Sequence, residues 1–153
     1  MVGTAWDLEL AEALMTLNAR RAVARAAARD ALEREVEERF GASRRLAVYG
    51  SLAPGEVNHH AIADLPGTWE DAIVTGVLQP PEPGSTSHFP ALRWRAGGPP
   101  VAARLFVSDA LPAQWGRLDA FEGTAYRRIL VPVHSESGAL IAVANLYADA
   151  TDG

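Results

Sequence analysis

The sequence of 153 residues contains no cysteine and no lysine, and each absence excludes a class of chemistry. Without cysteine there are no disulfides, thiol nucleophiles or cysteine-ligated zinc and iron–sulfur centres. Without lysine there is no P-loop lysine and no amine to form a Schiff base with a substrate or pyridoxal phosphate. All 14 basic residues are arginines. Any chemistry must therefore use other residue types.

Charge and hydropathy exclude further classes of protein. The net charge of −5 argues against nucleic-acid binding, which relies on a basic patch. No uncharged stretch approaches the roughly 18 residues of a membrane span, and no basic segment precedes the first apolar residues as in a secretory signal. The length is sufficient for one core without a covalent or metal staple. We expect a cytoplasmic protein with neither nucleic-acid nor membrane partners.

Proline and glycine divide the chain into two segments. No proline precedes Pro54, and only two of the 13 glycines precede residue 46. Residues 5–40 are rich in helix-forming Ala, Leu, Glu and Arg, and their apolar residues recur at threes and fours or multiples of them. These apolar residues are Leu10, Leu14, Leu17, Ala24, Ala28, Leu32 and Val36. The pattern predicts a helical extension over residues 1–44, as one long helix or two joined helices, with Gly41 after the last turn.

Short β-like runs bounded by turn residues fill the rest of the chain, residues 45–150. The six runs are Leu46–Tyr49, Thr68–Leu78, Ala91–Trp94, Val101–Val107, Tyr126–Val133 and Leu140–Tyr147. Six strands in about a hundred residues predict a small closed or strongly curved sheet. One short helix is expected at Leu111–Leu118, with Asp109 as its cap. The fold class is α+β.

An unbroken N-terminal helix would not fit against so small a sheet. A helix of about 35 residues reaches about 50 Å, whereas a domain of a hundred residues has a radius of gyration near 13 Å. A projecting apolar stripe rarely stays in water, which favours a homodimer through this helix. The alternative is a break near residues 18–21, with the second half folding back.

The first candidate site is the strand Leu46–Tyr49, which runs directly into a Gly50-Ser51 turn. Successive backbone N–H groups in such a turn can form a nest for a carboxylate or phosphate. The alternative is an ordinary turn in which glycine supplies an unusual backbone angle.

The second candidate is Glu122, which lies beside Gly123 and between Phe121 and Tyr126. In a partly desolvated pocket the pKa of this carboxyl would rise towards that of a useful general base. The alternative is a solvated loop acid, with Asp119 as a capping residue.

Together these segments resemble the gamma-glutamylcyclotransferase-like family. The resemblance rests on the order of Tyr-Gly-Ser-Leu (49–52), Phe-Pro-Ala-Leu (89–92), Leu-Asp-x-x-Glu-Gly-x-x-Tyr (118–126) with Arg127, and a last strand ending in Tyr147. It covers about residues 45–149. One departure is Ala103, where the family usually has glycine, and this larger residue is expected to narrow the cavity or change the accepted substrate.

The resemblance implies a small mixed β-barrel in which the turn faces the glutamate across one cavity. The backbone amides of Gly50, Ser51 and Leu52 would hold the α-carboxylate of a γ-glutamyl group, with Tyr49 and Tyr126 also in the substrate site. Glu122 would act as general acid and base while the α-amine attacks the γ-carbonyl, releasing 5-oxoproline and a free amine. Neither metal nor cofactor is implied. The alternatives are a non-catalytic barrel that binds small carboxylates, and an interaction module that docks through the N-terminal helix.

Overall fold

A computed structural model describes residues 5–50, 52–56, 58–81 and 89–151, and the statements below concern these residues. The helices are α1 (Ala5–Val23), α2 (Ala26–Phe40) and α3 (Trp115–Glu122). The strands are β1 (Arg45–Val48), β2 (Thr68–Gln79), β3 (Ala91–Trp94), β4 (Pro100–Val107), β5 (Tyr126–His134) and β6 (Leu140–Asp149). All six predicted strands are present, with small shifts at their ends.

Five of these strands close into a mixed barrel. β1 pairs with β4, β4 with β2, and β5 with β6, all antiparallel. A parallel contact between β1 and β6 and a short contact between Ile73 of β2 and His134 of β5 complete the ring. β3 joins the far end of β2 to β6. The predicted α+β barrel is confirmed.

The helical extension packs against the barrel. Leu14 and Leu17 of α1 and Leu32 and Val36 of α2 are buried in the same hydrophobic cluster as the residues of the strands. Each buried leucine contributes about 1.5–3 kcal/mol to the stability of the fold.

No helix in the described ranges has both the length and the apolar character that crossing a membrane requires.

The N-terminal extension consists of two joined helices, and the prediction of a single projecting helix is wrong. The chain turns at Ala24 and Arg25, later than the predicted break at residues 18–21, and the two helices are joined by an ion pair between Arg20 and Glu35. Ala28 is exposed rather than part of the apolar stripe. The homodimer was predicted because an apolar stripe would otherwise stay in water. Since the stripe is buried on the barrel of the same chain, that reason no longer applies, and the homodimer stays a proposal.

Asn18 fastens α1 to the open side of β5. Its side-chain nitrogen donates to the carbonyl of Leu130 at 2.9 Å, and its oxygen accepts from the N–H of Leu130 at 2.7 Å. On this side β5 has only the contact at His134, so without Asn18 the two backbone groups of Leu130 would have no strand partner. We call the pair α1 and α2 the helical hairpin, and it forms part of the barrel wall.

The predicted helix Leu111–Leu118 is instead a short 3₁₀ turn, Leu111–Ala113, followed by α3. Asp109 does not cap either element, since Ala110 and Gln114 precede them, and its carboxylate lies 3.2 Å from Nε of Arg44. α3 ends at Glu122, and the next residue, Gly123, has φ 76° and ψ −168°. The glutamate therefore occupies the last position of a helix whose end is set by glycine.

Candidate active site

A narrow cavity of about 40 Å³ lies between the turn after β1 and the end of α3. Five of the six predicted site residues line it, namely Tyr49, Gly50, Leu52, Glu122 and Tyr126. The sixth, Ser51, lies outside the described residues. Phe89, Pro90 and Tyr147 complete much of the wall. The structure thus brings together two segments that are about 70 residues apart in sequence.

Glu122 has the environment of a proton-transfer group. Burial raises the pKa of its carboxyl from 4.5 to about 7, and no described residue forms an ion pair or hydrogen bond with it. A carboxyl with such a pKa populates both protonation states near neutral pH, so that it can accept a proton and return it. The structure therefore favours the desolvated pocket over the solvated loop acid.

Tyr49 lines the narrow cavity, and its hydroxyl is hydrogen-bonded to other protein groups. The hydroxyl donates to the carbonyl of Tyr147 at 2.5 Å and accepts from the N–H of Leu92 at 2.9 Å, which ties the end of β1 to β6 and β3. Burial raises the pKa of this phenol far above its ordinary value, so Tyr49 stays neutral. Tyr126 also faces the cavity, and its hydroxyl donates to the carbonyl of Phe89 at 3.1 Å.

Asp119 supports Tyr147, which lines the narrow cavity. It accepts hydrogen bonds from the hydroxyl of Tyr147 at 2.6 Å and from Nε of Arg128 at 2.9 Å. The guanidinium of Arg128 lies over the ring of Trp115 at 4.5 Å. Burial and the bond to Asp119 raise the pKa of the Tyr147 phenol well above its usual range. Asp119 is therefore an anchor between α3 and the barrel and not the expected cap. The sequence held one indication that Asp119 belongs near the site. Asp119 and Glu122 are three residues apart, and residues at that spacing share a helix face.

Gly50 is not required by the backbone or by neighbouring protein atoms. Its φ is not among the positive values, and a Cβ placed on it would meet no atom within 4 Å. No described residue accepts a hydrogen bond from the N–H of Gly50 or Leu52, and the carbonyl of Leu52 is held by Nδ1 of His59 at 2.9 Å. The turn thus offers open space and two amides to a ligand, as an anion nest does.

A wide cavity of about 1340 Å³ adjoins the narrow one, and Val48, Tyr49 and Gly50 line both. Ala103 is buried and lines the wide cavity only. The departure from the family pattern at this position therefore affects the wide cavity and leaves the surroundings of Glu122 unchanged. No group of three or more His, Asp or Glu residues within the described ranges is arranged to hold a metal ion.

Residues 46–152 match the model of a protein family described as gamma-glutamyl cyclotransferase, AIG2-like. The chain belongs to this family. The resemblance to this family that the short motifs indicated is thereby confirmed over nearly the whole barrel. The first 45 residues lie outside the match.

Solved structures show the same fold. An AIG2-like protein from Mus musculus is 22% identical, with 71% of this chain and 78% of that chain covered and a TM-score of 0.55. An Arabidopsis thaliana protein is 20% identical over 72% of this chain and 70% of its own, with a TM-score of 0.53. YkqA from Bacillus subtilis is 24% identical over 69% and 35%, with a TM-score of 0.52. The search of curated proteins found no match.

Proposed function

We propose that this protein is a γ-glutamyl cyclotransferase that converts a γ-glutamyl amine, amino acid or peptide into 5-oxoproline and the free amine. The observation that supports this most is the placement of Glu122, with a pKa of about 7, in one cavity with the amides of Gly50 and Leu52. A substrate carboxylate bound at these amides would direct the rest of the γ-glutamyl group towards Glu122. Membership of the family supports the same reaction.

The reaction needs one proton acceptor that later becomes a donor. The carboxylate of Glu122 takes a proton from the α-ammonium of the substrate, and the freed nitrogen attacks the γ-carbonyl carbon. The new C–N bond closes a five-membered ring and gives a tetrahedral intermediate. Glu122 passes its proton to the departing nitrogen, then takes the remaining extra proton from the ring nitrogen and delivers it to the same amine. The old amide C–N bond breaks, the amine leaves as an ammonium group, and the Glu122 carboxylate is restored. Nucleophile and electrophile are already tethered, so the site mainly has to hold a folded conformer of the substrate.

Tyr49 and Tyr147 assist by remaining uncharged. Their phenols have raised pKa values, and both hydroxyls bond to protein groups. They therefore add no negative charge beside the carboxylate of Glu122, and they keep its surroundings poor in water. We assign them a positioning role and leave proton transfer to Glu122.

Incubation with a panel of γ-glutamyl amines, amino acids and peptides tests the proposal, with 5-oxoproline detected by mass. Wild type should release it from at least one compound, and Glu122→Gln should lower turnover by about 100-fold or more. Product from none of the panel, with a compound still bound, would instead establish the non-catalytic carboxylate-binding barrel.

A further inference from the structure

A third cavity, of about 210 Å³, lies where the helical hairpin meets the start of β5, and we call it the arginine cavity. Five arginines line it, whereas Asp119 is the one acidic residue among its described lining. The arginines are Arg21, Arg25, Arg29, Arg127 and Arg128. This concentration of positive charge contrasts with the net charge of −5 on the whole chain.

Two carboxylates lie among four of these arginines, namely Arg21, Arg25, Arg29 and Arg128. Glu33 accepts from Arg21 at 2.8 Å and from Arg29 at 2.9 Å, and Asp119 accepts from Arg128. The guanidinium of Arg25 contacts the carbonyl of Ala24 at 3.1 Å and pairs with no carboxylate among the described residues. The cavity therefore has an excess of cationic groups.

The same arginines are close enough to repel one another. Arg21 is 5% exposed, and burial, followed by the positive charges of Arg128 and Arg29, lowers its pKa despite the hydrogen bond to Glu33. An anion in the cavity would reduce this repulsion and would meet guanidinium donors that are already held in place.

The arginine cavity adjoins the narrow cavity. Tyr126 and Tyr147 line both, and the hydroxyl of Tyr147 reaches the same carboxylate of Asp119 that binds Arg128. Three of the five arginines come from the helical hairpin and the turn within it, which the family match does not include. The feature therefore belongs to the added segment of this chain as much as to the barrel.

We infer that the arginine cavity binds an acidic group, carboxylate or phosphate, on the side chain of the leaving amine, so that the preferred substrates are γ-glutamyl conjugates of amines that carry an acidic group besides any α-carboxylate. This inference rests on the proposed function. Glu122 must reach the departing nitrogen, and the wide cavity touches the turn at Gly50 but not Glu122. The leaving amine is thereby directed towards Tyr126 and Tyr147, beyond which the arginines lie.

The test compares γ-glutamyl-glutamate with γ-glutamyl-glutamine, which differ in charge but hardly in shape. We expect wild type to favour the acidic compound by about tenfold in kcat/KM, and Arg25→Gln and Arg29→Gln to reduce this ratio by about fivefold or more. Arg34→Gln, on an exposed arginine of α2 that does not line the cavity, is the matched control and should leave the ratio unchanged. Circular dichroism checks that each variant folds.

Inorganic phosphate serves as a second probe and separates a substrate group from a free effector. Phosphate should inhibit turnover of γ-glutamyl-glutamate in competition with it, and Arg25→Gln should weaken that inhibition. A ratio near one in wild type, with turnover of both compounds, overturns the inference and leaves the proposed function standing. A phosphate effect on γ-glutamyl-glutamine that depends on Arg25, without acidic preference, would instead assign the cavity to a free anion. Failure of every γ-glutamyl compound to react overturns both proposals.

Discussion

Replacing Glu122 by Gln should make the protein more stable as well as much less active, and the gain in stability should depend on pH. The folded pKa of about 7 lies above the ordinary value of 4.5 because burial disfavours the ionised carboxyl. Below pH 4.5 the group is protonated in both folded and unfolded chains. Between pH 4.5 and 7 the unfolded chain ionises first, so the free energy of unfolding of wild type falls as the pH rises. Above pH 7 the loss is complete.

The size of the effect follows from the same pKa. One pH unit corresponds to about 1.4 kcal/mol, so the rise to about 7 sets an upper bound of about 3 kcal/mol. Glu122 is only partly buried, and screening by water lowers this to about 1–2 kcal/mol. For a chain of this length, that free energy corresponds to a shift in Tm of about 3–6 °C.

Thermal unfolding followed by circular dichroism at pH 4.5 and pH 8 measures the effect. The Tm difference between Glu122→Gln and wild type should grow by about 3–6 °C from the lower to the higher pH. Glu70→Gln, on an exposed residue of β2, is the control and should show no such growth. A Tm difference that does not change with pH would refute the burial argument, whatever the variant does to turnover.

Three further substitutions test the turn, the helix end and the barrel wall. Gly50→Ala should keep the Tm within about 2 °C or raise it, because neither φ nor space opposes a Cβ, while lowering kcat/KM about tenfold by occupying ligand space; full activity would contradict the nest. Gly123→Ala meets no atoms but forces alanine into a backbone region nearly reserved for glycine, so we expect a loss of about 1–3 kcal/mol in urea unfolding, and an unchanged midpoint would be evidence against that strain. Asn18→Ala should cost about 1–3 kcal/mol and speed hydrogen exchange at the amide of Leu130, since both backbone groups lose their partner; unaltered exchange there would show that the edge is protected in another way.

Local patterns predicted the strands and the family far better than the position of the helices. Short β-like runs bounded by turn residues placed all six strands, because strand-forming residues and turn residues are recognised within a few neighbouring positions. The turn between α1 and α2 was misplaced since no proline or glycine marks Ala24 and Arg25. The side of the barrel that the hairpin would cover depends on Asn18 meeting Leu130, 112 positions away, which no local pattern encodes.

The sequence predicted the residues that line the candidate site but not the residues that hold them in position. Gly50 and Glu122 were found through short motifs, and their shared cavity followed only from resemblance to a family. The carboxylate of Asp119, by contrast, joins Tyr147 and Arg128 through geometry that appears only when α3 lies against the ends of β5 and β6. The arginine cavity was equally hidden, because its arginines are distributed between two segments about 100 residues apart.

The bond between Asn18 and Leu130 changes how the added helices relate to self-association. An exposed strand edge is a template on which a second molecule can add a strand of its own. A side-chain amide that mimics one peptide unit occupies that template at Leu130, and α1 covers it. At this edge the helical hairpin therefore prevents a second molecule from pairing a strand with β5. This effect is the reverse of the dimerising role that the apolar stripe of the hairpin alone would predict.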